Sequence, residues 1–168
     1  MQTSGDQLSQ SDGVPGALRE LLADKYELVS LLGSGAFGDV YLARQGSTGQ
    51  SVAIKVLRAH EDESARRRFS REMNACAALH HPNIVRVLDA GQETERPDGP
   101  LFTVFEYVPG RTLADLLATE GMLRVDAGTA LMSQVLDAVH AAHSLGIVHR
   151  DLKPANVMVT ETAGGLHA

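Results

Sequence analysis

The run His149-Arg150-Asp151-Leu152-Lys153-Pro154-Ala155-Asn156 gathers an acidic, a basic and an amide side chain into one short loop. An aspartate at position 151 can accept a hydrogen bond from an attacking hydroxyl and orient it in line with a γ-phosphate. Lys153 can neutralise charge on the phosphoryl group being transferred, and the amide oxygen of Asn156 is a hard ligand suited to Mg²⁺. His149 reads as a packing and hydrogen-bonding residue rather than a base. Arg150, beside the aspartate, suits an anionic phosphate on a separate segment. The chemistry this set describes is phosphoryl transfer to a hydroxyl.

Two upstream groups supply what such a loop needs. In Gly33-Ser34-Gly35-Ala36-Phe37-Gly38-Asp39-Val40 the glycines let backbone N–H groups approach phosphate oxygens without a Cβ in the way. The same G-x-G-x-x-G spacing occurs in dinucleotide-binding folds, but there the last glycine opens a helix. Here it opens a strand, which favours a flap over a triphosphate. In Val52-Ala53-Ile54-Lys55, strand alternation sends Ala53 and Lys55 to one face, the face the glycine loop covers, so Lys55 can reach α/β-phosphate oxygens. Glu72 lies three residues after Phe69 and one before Met73 on the following helix, close to its buried face, and can hold that lysine in place. Taken alone, Lys55 is an ordinary strand lysine and Glu72 one of several helix carboxylates. Their order between the two other motifs couples them.

The elements that must position these groups follow from periodicity. Polar Met1 to Gly16 reads as a flexible arm, and Ala17–Ala23 as a short helix. Tyr26–Leu32, Asp39–Arg44 and Ser51–Leu57 read as three consecutive antiparallel strands, with Gly46-Ser47-Thr48-Gly49 as a turn. Glu61 to Leu79 carries Phe69, Met73, Cys76 and Ala77 at helical spacing, and His81-Pro82-Asn83 breaks it. Ile84–Leu88 and Leu101–Tyr107 complete a five-stranded sheet, joined by an exposed acidic loop, Gly91 to Pro100. Beyond Pro109-Gly110 the chain turns helical. Thr112 can N-cap a helix with Asp115, Gly121 can close it, and a longer helix, Val125 to Leu145, ends at Gly146.

Composition narrows the function. With 168 residues and 43% hydrophobic side chains the chain can bury a real core, and a net charge of −6 with a pI near 5.6 argues against nucleic acid as a partner. Cys76 alone cannot form an internal disulfide, so a reducing, cytoplasmic setting is expected. No apolar run approaches the roughly 20 residues that span a bilayer, so no membrane segment is expected in this chain. Cys76 reads as a small core residue. His140 and His143 lack a third ligand and read as helix packing or solvated residues.

On the glycine-rich loop, the Val52–Lys55 motif and the His149–Asn156 loop, the chain from Tyr26 onward resembles the eukaryotic-like (Hanks-type) Ser/Thr protein kinases of bacteria. Lys153-Pro154 resembles the Ser/Thr branch, and His81-Pro82-Asn83-Ile84-Val85 and Ala155-Asn156-Val157-Met158 are similar to bacterial members. The resemblance implies an α+β fold. Residues 17–108 would form a small lobe with its five-stranded sheet, one regulatory helix and hinge, and residues 109–168 the first part of a helical lobe. It implies ATP and Mg²⁺ as cofactors, protein Ser/Thr hydroxyls as substrates, and Asp151, Lys153, Lys55 and Glu72 as catalytic residues, with Asn156 on the metal. Phe105 would be the gatekeeper and Glu106 to Val108 the hinge, whose backbone binds adenine. Leu32, Val40, Ala53 and Met158 would sandwich the base, and Gly33, Gly35 and Gly38 would cover the phosphates.

In this family a D-F-G turn, an activation segment and an A-P-E signature follow; the chain reaches Ala168 without them, so further domain sequence is expected beyond it. Three functions stay open: part of an active Ser/Thr kinase, an ATP-binding regulatory module that transfers nothing, and a fragment without ligand. The long helix should then expose an apolar face. The purified 168-residue chain is expected to bind a hydrophobic dye and self-associate; a compact, dye-silent monomer in sedimentation would refute this.

Overall fold

A computed structural model of the chain describes residues 16–35, 38–57, 69, 71, 73, 75–92 and 100–168. Alternating apolar residues early in the chain form β1 (Tyr26–Gly35), β2 (Gly38–Gln45) and β3 (Ser51–Leu57). With β4 (Val87–Gln92) and β5 (Leu101–Glu106) they make one sheet of order β1-β2-β3-β5-β4, as the expected five-stranded small-lobe sheet requires. The pairings β1–β2, β2–β3 and β3–β5 are antiparallel.

Register gives this sheet two unlike faces. Tyr41, Ile54 and Val104 stand in one cross-strand row, and Ala43 and Val52 in the next. These five are at most 3% exposed and form a core with Tyr26 and Leu28. The cover is α1 (Gly16–Leu22), which contributes Leu18 and Leu22 one turn apart, while the Arg19 guanidinium donates to the Leu28 carbonyl. Two register shifts in β1, at Leu28/Ser30 and Leu31/Gly33, let that strand bend.

The bend is large. Flat, β1 and β4 would lie about 19 Å apart across four strand spacings, beyond the reach of any tyrosine. Yet the Tyr26 hydroxyl donates to the Asp89 carboxylate at 3.3 Å, with Lys25 at 3.4 Å, so the sheet curls until its two edges are tied.

The chain divides into two compact units, 1–70 with 88–107 and 71–87 with 108–168. The second contains β6 (Arg111–Thr112), α2 (Leu113–Glu120), α3 (Val125–Ser144), a 3₁₀ turn (Pro154–Asn156), β7 (Met158–Thr162) and β8 (Gly165–His167). A full capping box at Thr112 and Asp115 starts α2, as its spacing predicts. At the end of α3, Gly146 N–H bonds the His143 carbonyl and Ile147 N–H the Ala142 carbonyl. This is the Schellman pattern, with Gly146 at φ 73°. Leu116, Leu131 and Val159 form the core between α2, α3 and the β6-β7-β8 sheet.

Several boundaries differ from the sequence reading. The fourth strand is Val87–Gln92 rather than Ile84–Leu88, because residues 81–84 form a turn closed by Ile84 N–H on the His81 carbonyl. Gly91 lies inside that strand, where a Cβ would stand 2.5 Å from the Phe102 ring, so the close approach of the ring requires glycine. The helix expected over Glu61 to Leu79 is helical at its described residues through Ala77, and 61–68 lie outside the described residues. So do 93–99 of the expected acidic loop, and all of the expected arm but Gly16. On α3, Met132 and Leu136 are 50% and 61% exposed. Among the described residues no helix is long and apolar enough to cross a membrane.

Burial, and then Asp89, raise the Tyr26 phenol above its ordinary 10.0. A group whose folded pKa is raised supports the fold fully below its unfolded pKa and less as pH climbs through the folded one. Denaturant titrations from about pH 9 to pH 11 should therefore show stability falling more steeply in the wild type than in Tyr26→Phe; equal slopes would refute the edge tie.

Candidate active site

In the first unit the sheet face opposite the core carries the expected nucleotide residues. Cross-strand pairing aligns Val40, Lys55 and Thr103 in one row, and Leu42, Ala53 and Phe105 in the next row on the same face. Val40, Ala53, Lys55 and Phe105 are half-buried. Glu106 falls in the row of Val52 and Ala43, so its side chain belongs to the other face and only its backbone can serve a hinge. Leu32 sits unpaired at the second register shift of β1 and is 47% exposed. Glu72 lies outside the described residues, so the expected Lys55–Glu72 pair carries no structural statement.

The three glycines do different work. Gly38 has φ 147°, and a Cβ there would stand 2.1 Å from the Val56 carbonyl oxygen, so any side chain would force β2 away from β3. At Gly33 a Cβ would meet nothing within 4 Å, and at Gly35 only the Gly38 carbonyl at 3.9 Å. The backbone of that arm is open. Ser34 donates to Asp39 across the hairpin and ties its two arms.

In the second unit the loop after α3 brings Asp151, Lys153 and Asn156 into direct contact. One carboxylate oxygen of Asp151, Oδ2, receives Lys153 Nζ at 2.9 Å and Asn156 Nδ2 at 3.0 Å. Asn156 Nδ2 also donates to the Asp151 carbonyl at 2.7 Å. Among the described residues, Asp151 Oδ1 and Asn156 Oδ1 have no hydrogen-bond partner in this network. The lysine first, then the asparagine, hold the exposed Asp151 carboxyl below its ordinary 3.8, so it is ionised at neutral pH.

Backbone geometry presents this acid. Arg150 has φ 62°, and Asp151 N–H bonds the His149 carbonyl at 2.8 Å. That two-residue span around a positive φ is the rarer, more strained hand of γ-turn. Pro154 opens the 3₁₀ turn that follows, and Asn156 N–H bonds the Lys153 carbonyl at 2.9 Å. Next, the Val157 carbonyl accepts from Leu113 N–H at 2.8 Å, which pins the loop exit to the start of α2. Met158 is half-buried at the head of β7, opposite Thr112.

Two residues of these surroundings escaped the sequence reading. Thr103 is 3% exposed in the row of Lys55, and its signal was alternation: two residues before Phe105, it had to share that face. Gly110 reads as a domain boundary, yet a Cβ on it would lie 2.3 Å from the Val159 carbonyl. It lets β6 pass close over β7.

The glycines of β1 and β2, the lysine on β3 and the charged loop after α3 are set in a fold shared with protein kinases. The sequence profile of the protein kinase domain matches residues 26–166, and the chain belongs to the protein kinase family. It is 45% identical over 144 residues to the serine/threonine-protein kinase PknB of Mycobacterium tuberculosis (strain ATCC 25618 / H37Rv), covering 84% of this chain and 23% of that protein. It is 44% identical over 140 residues to the serine/threonine-protein kinase pkn3 of Myxococcus xanthus, covering 82% of this chain and 25% of that protein. The chain thus spans about a quarter of the length of these curated relatives. The crystal structure of a double mutant of the Mycobacterium tuberculosis PknI kinase domain superposes with a TM-score of 0.74 at 33% identity, over 93% of this chain and 59% of that one.

Kinases of this family use ATP and Mg²⁺, and residues of each unit suit them. The open backbone at Gly33 and Gly35 leaves room for phosphate oxygens, Lys55 supplies a cation on the same sheet, and Asn156 Oδ1 is a hard donor.

Because Lys153 dominates the Asp151 shift, Lys153→Ala should move the Asp151 carboxyl titration upward toward 3.8, read by carbon NMR of the side chain. An unmoved titration would show that the contact does not persist in solution.

Proposed function

We propose that this chain is part of a serine/threonine protein kinase catalytic domain that passes the γ-phosphoryl group of ATP to Ser or Thr hydroxyls of proteins. Residues 17–108 act as the small lobe and hinge and residues 109–168 as the beginning of the large lobe, with 1–16 as an arm before them. Mg²⁺-bound ATP supplies the electrophilic phosphoryl group.

The chain's own residues do the rest. Gly33, Gly35 and Gly38 cover the phosphates with backbone N–H groups, and Lys55, paired with Glu72, orients them. Leu32, Val40, Ala53 and Met158 enclose the base, with Phe105 behind it and the backbone of Glu106 to Val108 beside it. Asp151 accepts the hydrogen bond of the substrate hydroxyl and aims it. Lys153 offsets charge as it builds on the transferred group, and Asn156 holds a metal ion. A domain that consumes ATP in this way works on the cytoplasmic side of the cell.

The observation that carries this reading is the division of labour within one carboxylate. Oδ2 of Asp151 is fixed by Lys153 and Asn156, and Oδ1 is left to accept. Such a group orients a hydroxyl without taking part in a covalent intermediate.

In the full-length protein, Asp151→Asn should lower kcat by about 10²–10⁴-fold, and Lys55→Met should collapse turnover as well. ATP with Mg²⁺ should still raise the melting temperature of Asp151→Asn. An undiminished rate in Asp151→Asn would end the role assigned to it, and a wild-type protein that is stabilised by ATP yet transfers nothing would mark a regulatory nucleotide-binding module instead.

A further inference from the structure

Gln134 lies in the middle of α3, three residues after the fully buried Leu131 and just before Val135, so it stands at the edge of the apolar stripe. Three of its amide's four hydrogen-bonding positions are used. Oε1 accepts from Ala168 N–H at 2.9 Å and from Asn83 Nδ2 at 3.1 Å, and Nε2 donates to the Leu166 carbonyl at 3.3 Å. Asn83 Nδ2 also reaches the Ala168 carbonyl at 2.9 Å. Backbone groups fix the polarity of this set: an N–H can only donate and a carbonyl only accept, so neither amide can be flipped.

Asn83 is itself held. It sits in the 81–84 turn, its N–H on His81 Nδ1 at 3.2 Å, while Ile84 N–H closes the turn on the His81 carbonyl at 3.1 Å. Three segments remote in sequence therefore meet at one glutamine: the turn over residues 81–84, the middle of α3, and the end of the chain from β8 to Ala168. From β8 the constraint runs to the catalytic loop by a short route. Thr160 pairs with His167 and Glu161 with Leu166, and β7 begins two residues after Asn156.

We infer that Gln134, with Asn83, is a positioning residue that fixes the register of the β7–β8 hairpin on α3 and thereby the placement of Asp151 and Asn156. The apolar layer of Leu116, Leu131 and Val159 sets the distance between hairpin and helix but resists sliding only weakly, since close-packed apolar surfaces tolerate repacking. Directional hydrogen bonds do not. The catalytic part of this inference rests on the proposed kinase reading; the structural part does not.

Site-resolved amide hydrogen exchange on the 168-residue chain separates the two. Gln134→Met keeps the side-chain volume and removes every bond. It should speed exchange about tenfold at Leu166 to Ala168 and through Asp151 to Val157, while β2 and β3 in the other unit stay unchanged. Gln134→Glu keeps an acceptor for Ala168 N–H and should retain its protection. Unchanged exchange in Gln134→Met, a uniform rise across both units, or a Glu variant that behaves like Met would each overturn the inference. If Gln134→Met fails to fold, Asn83→Ala, which removes only the turn's share of the bonds, should give the same local pattern at smaller amplitude, and a flat response would count against the clamp. In the full-length protein Gln134→Met should lower kcat about tenfold with KM for ATP little changed, since the loop rather than the nucleotide face is displaced. A rise in KM without a fall in kcat would overturn the positioning role, whereas a wild type that transfers nothing would defeat the kinase reading and leave the exchange pattern to decide the clamp.

Discussion

A carboxylate that is to orient a hydroxyl must stay charged, must be still, and must keep one oxygen free. Those demands conflict, because the donors that hold a carboxylate tend to occupy it. Under the function proposed here, the loop after α3 meets these demands by sending Lys153 and Asn156 to the same oxygen of Asp151. That choice constrains the local chain closely. Asn156 can reach back only because Pro154 turns the backbone in a 3₁₀ step, and Asp151 faces its partners only because Arg150 accepts a left-handed conformation. Left-handed backbone at a residue with a Cβ costs on the order of 1 kcal/mol. It persists because the surroundings determine it: the Asp151 N–H is bonded to His149 behind it, and the Val157 carbonyl is bonded to α2 ahead of it.

The sheet of the first unit meets a different constraint with the same economy of parts. A strand offers two faces, and here one carries the apolar core that includes Leu18 and Leu22 of α1 while the other carries Lys55, Ala53, Val40, Thr103 and Phe105. The lysine can therefore stand half-buried on the sheet without disturbing the core, since Ile54, its neighbour in the chain, faces the other way and is fully buried. The bends in β1 and the Tyr26–Asp89 tie belong together, as a flat sheet could not bring those edge residues within hydrogen-bond distance.

What was legible in the sequence was whatever depends on neighbours in the chain. Ser51–Leu57 is a strand with the expected bounds because Val52, Ile54 and Val56 are β-branched and alternate. Thr112 and Asp115 cap α2 because three residues is the span of a capping box, and Gly146 ends α3 because a left-handed residue was required there. The acid, lysine and amide of residues 151–156 met because they share one loop. The misplacements have nameable causes: Ile84 looks like a strand residue by type, yet the His81–Ile84 turn claims it, while Gly91 looks like a breaker but lies within β4, its lack of a Cβ making room for the Phe102 ring. Long-range polar contacts left no local trace. Gln134 meets Asn83 across 51 positions and Ala168 across 34, and Tyr26 meets Asp89 across 63, so no neighbouring residue marks the partner.

The two units reach order by one strategy applied twice. In each, an apolar layer supplies most of the stabilisation, at roughly 1.5–3 kcal/mol for each large side chain buried, and that layer includes Ile54 and Val104 in one unit and Leu116 and Leu131 in the other. Such a layer is non-directional, so it can hold a sheet against a helix without specifying where along its length a given residue falls. A few directional contacts then specify register: Tyr26 on Asp89 and Arg19 on Leu28 in the first unit, Leu113 on Val157 and Gln134 on Ala168 in the second. Each is worth about 1 kcal/mol as a hydrogen bond, small beside the layer it serves. Phosphoryl transfer depends on placement to within fractions of an ångström, so contacts that contribute little to stability can contribute much to rate. A domain built this way would lose activity before it lost its fold, because the weaker set of interactions is the one that sets the geometry.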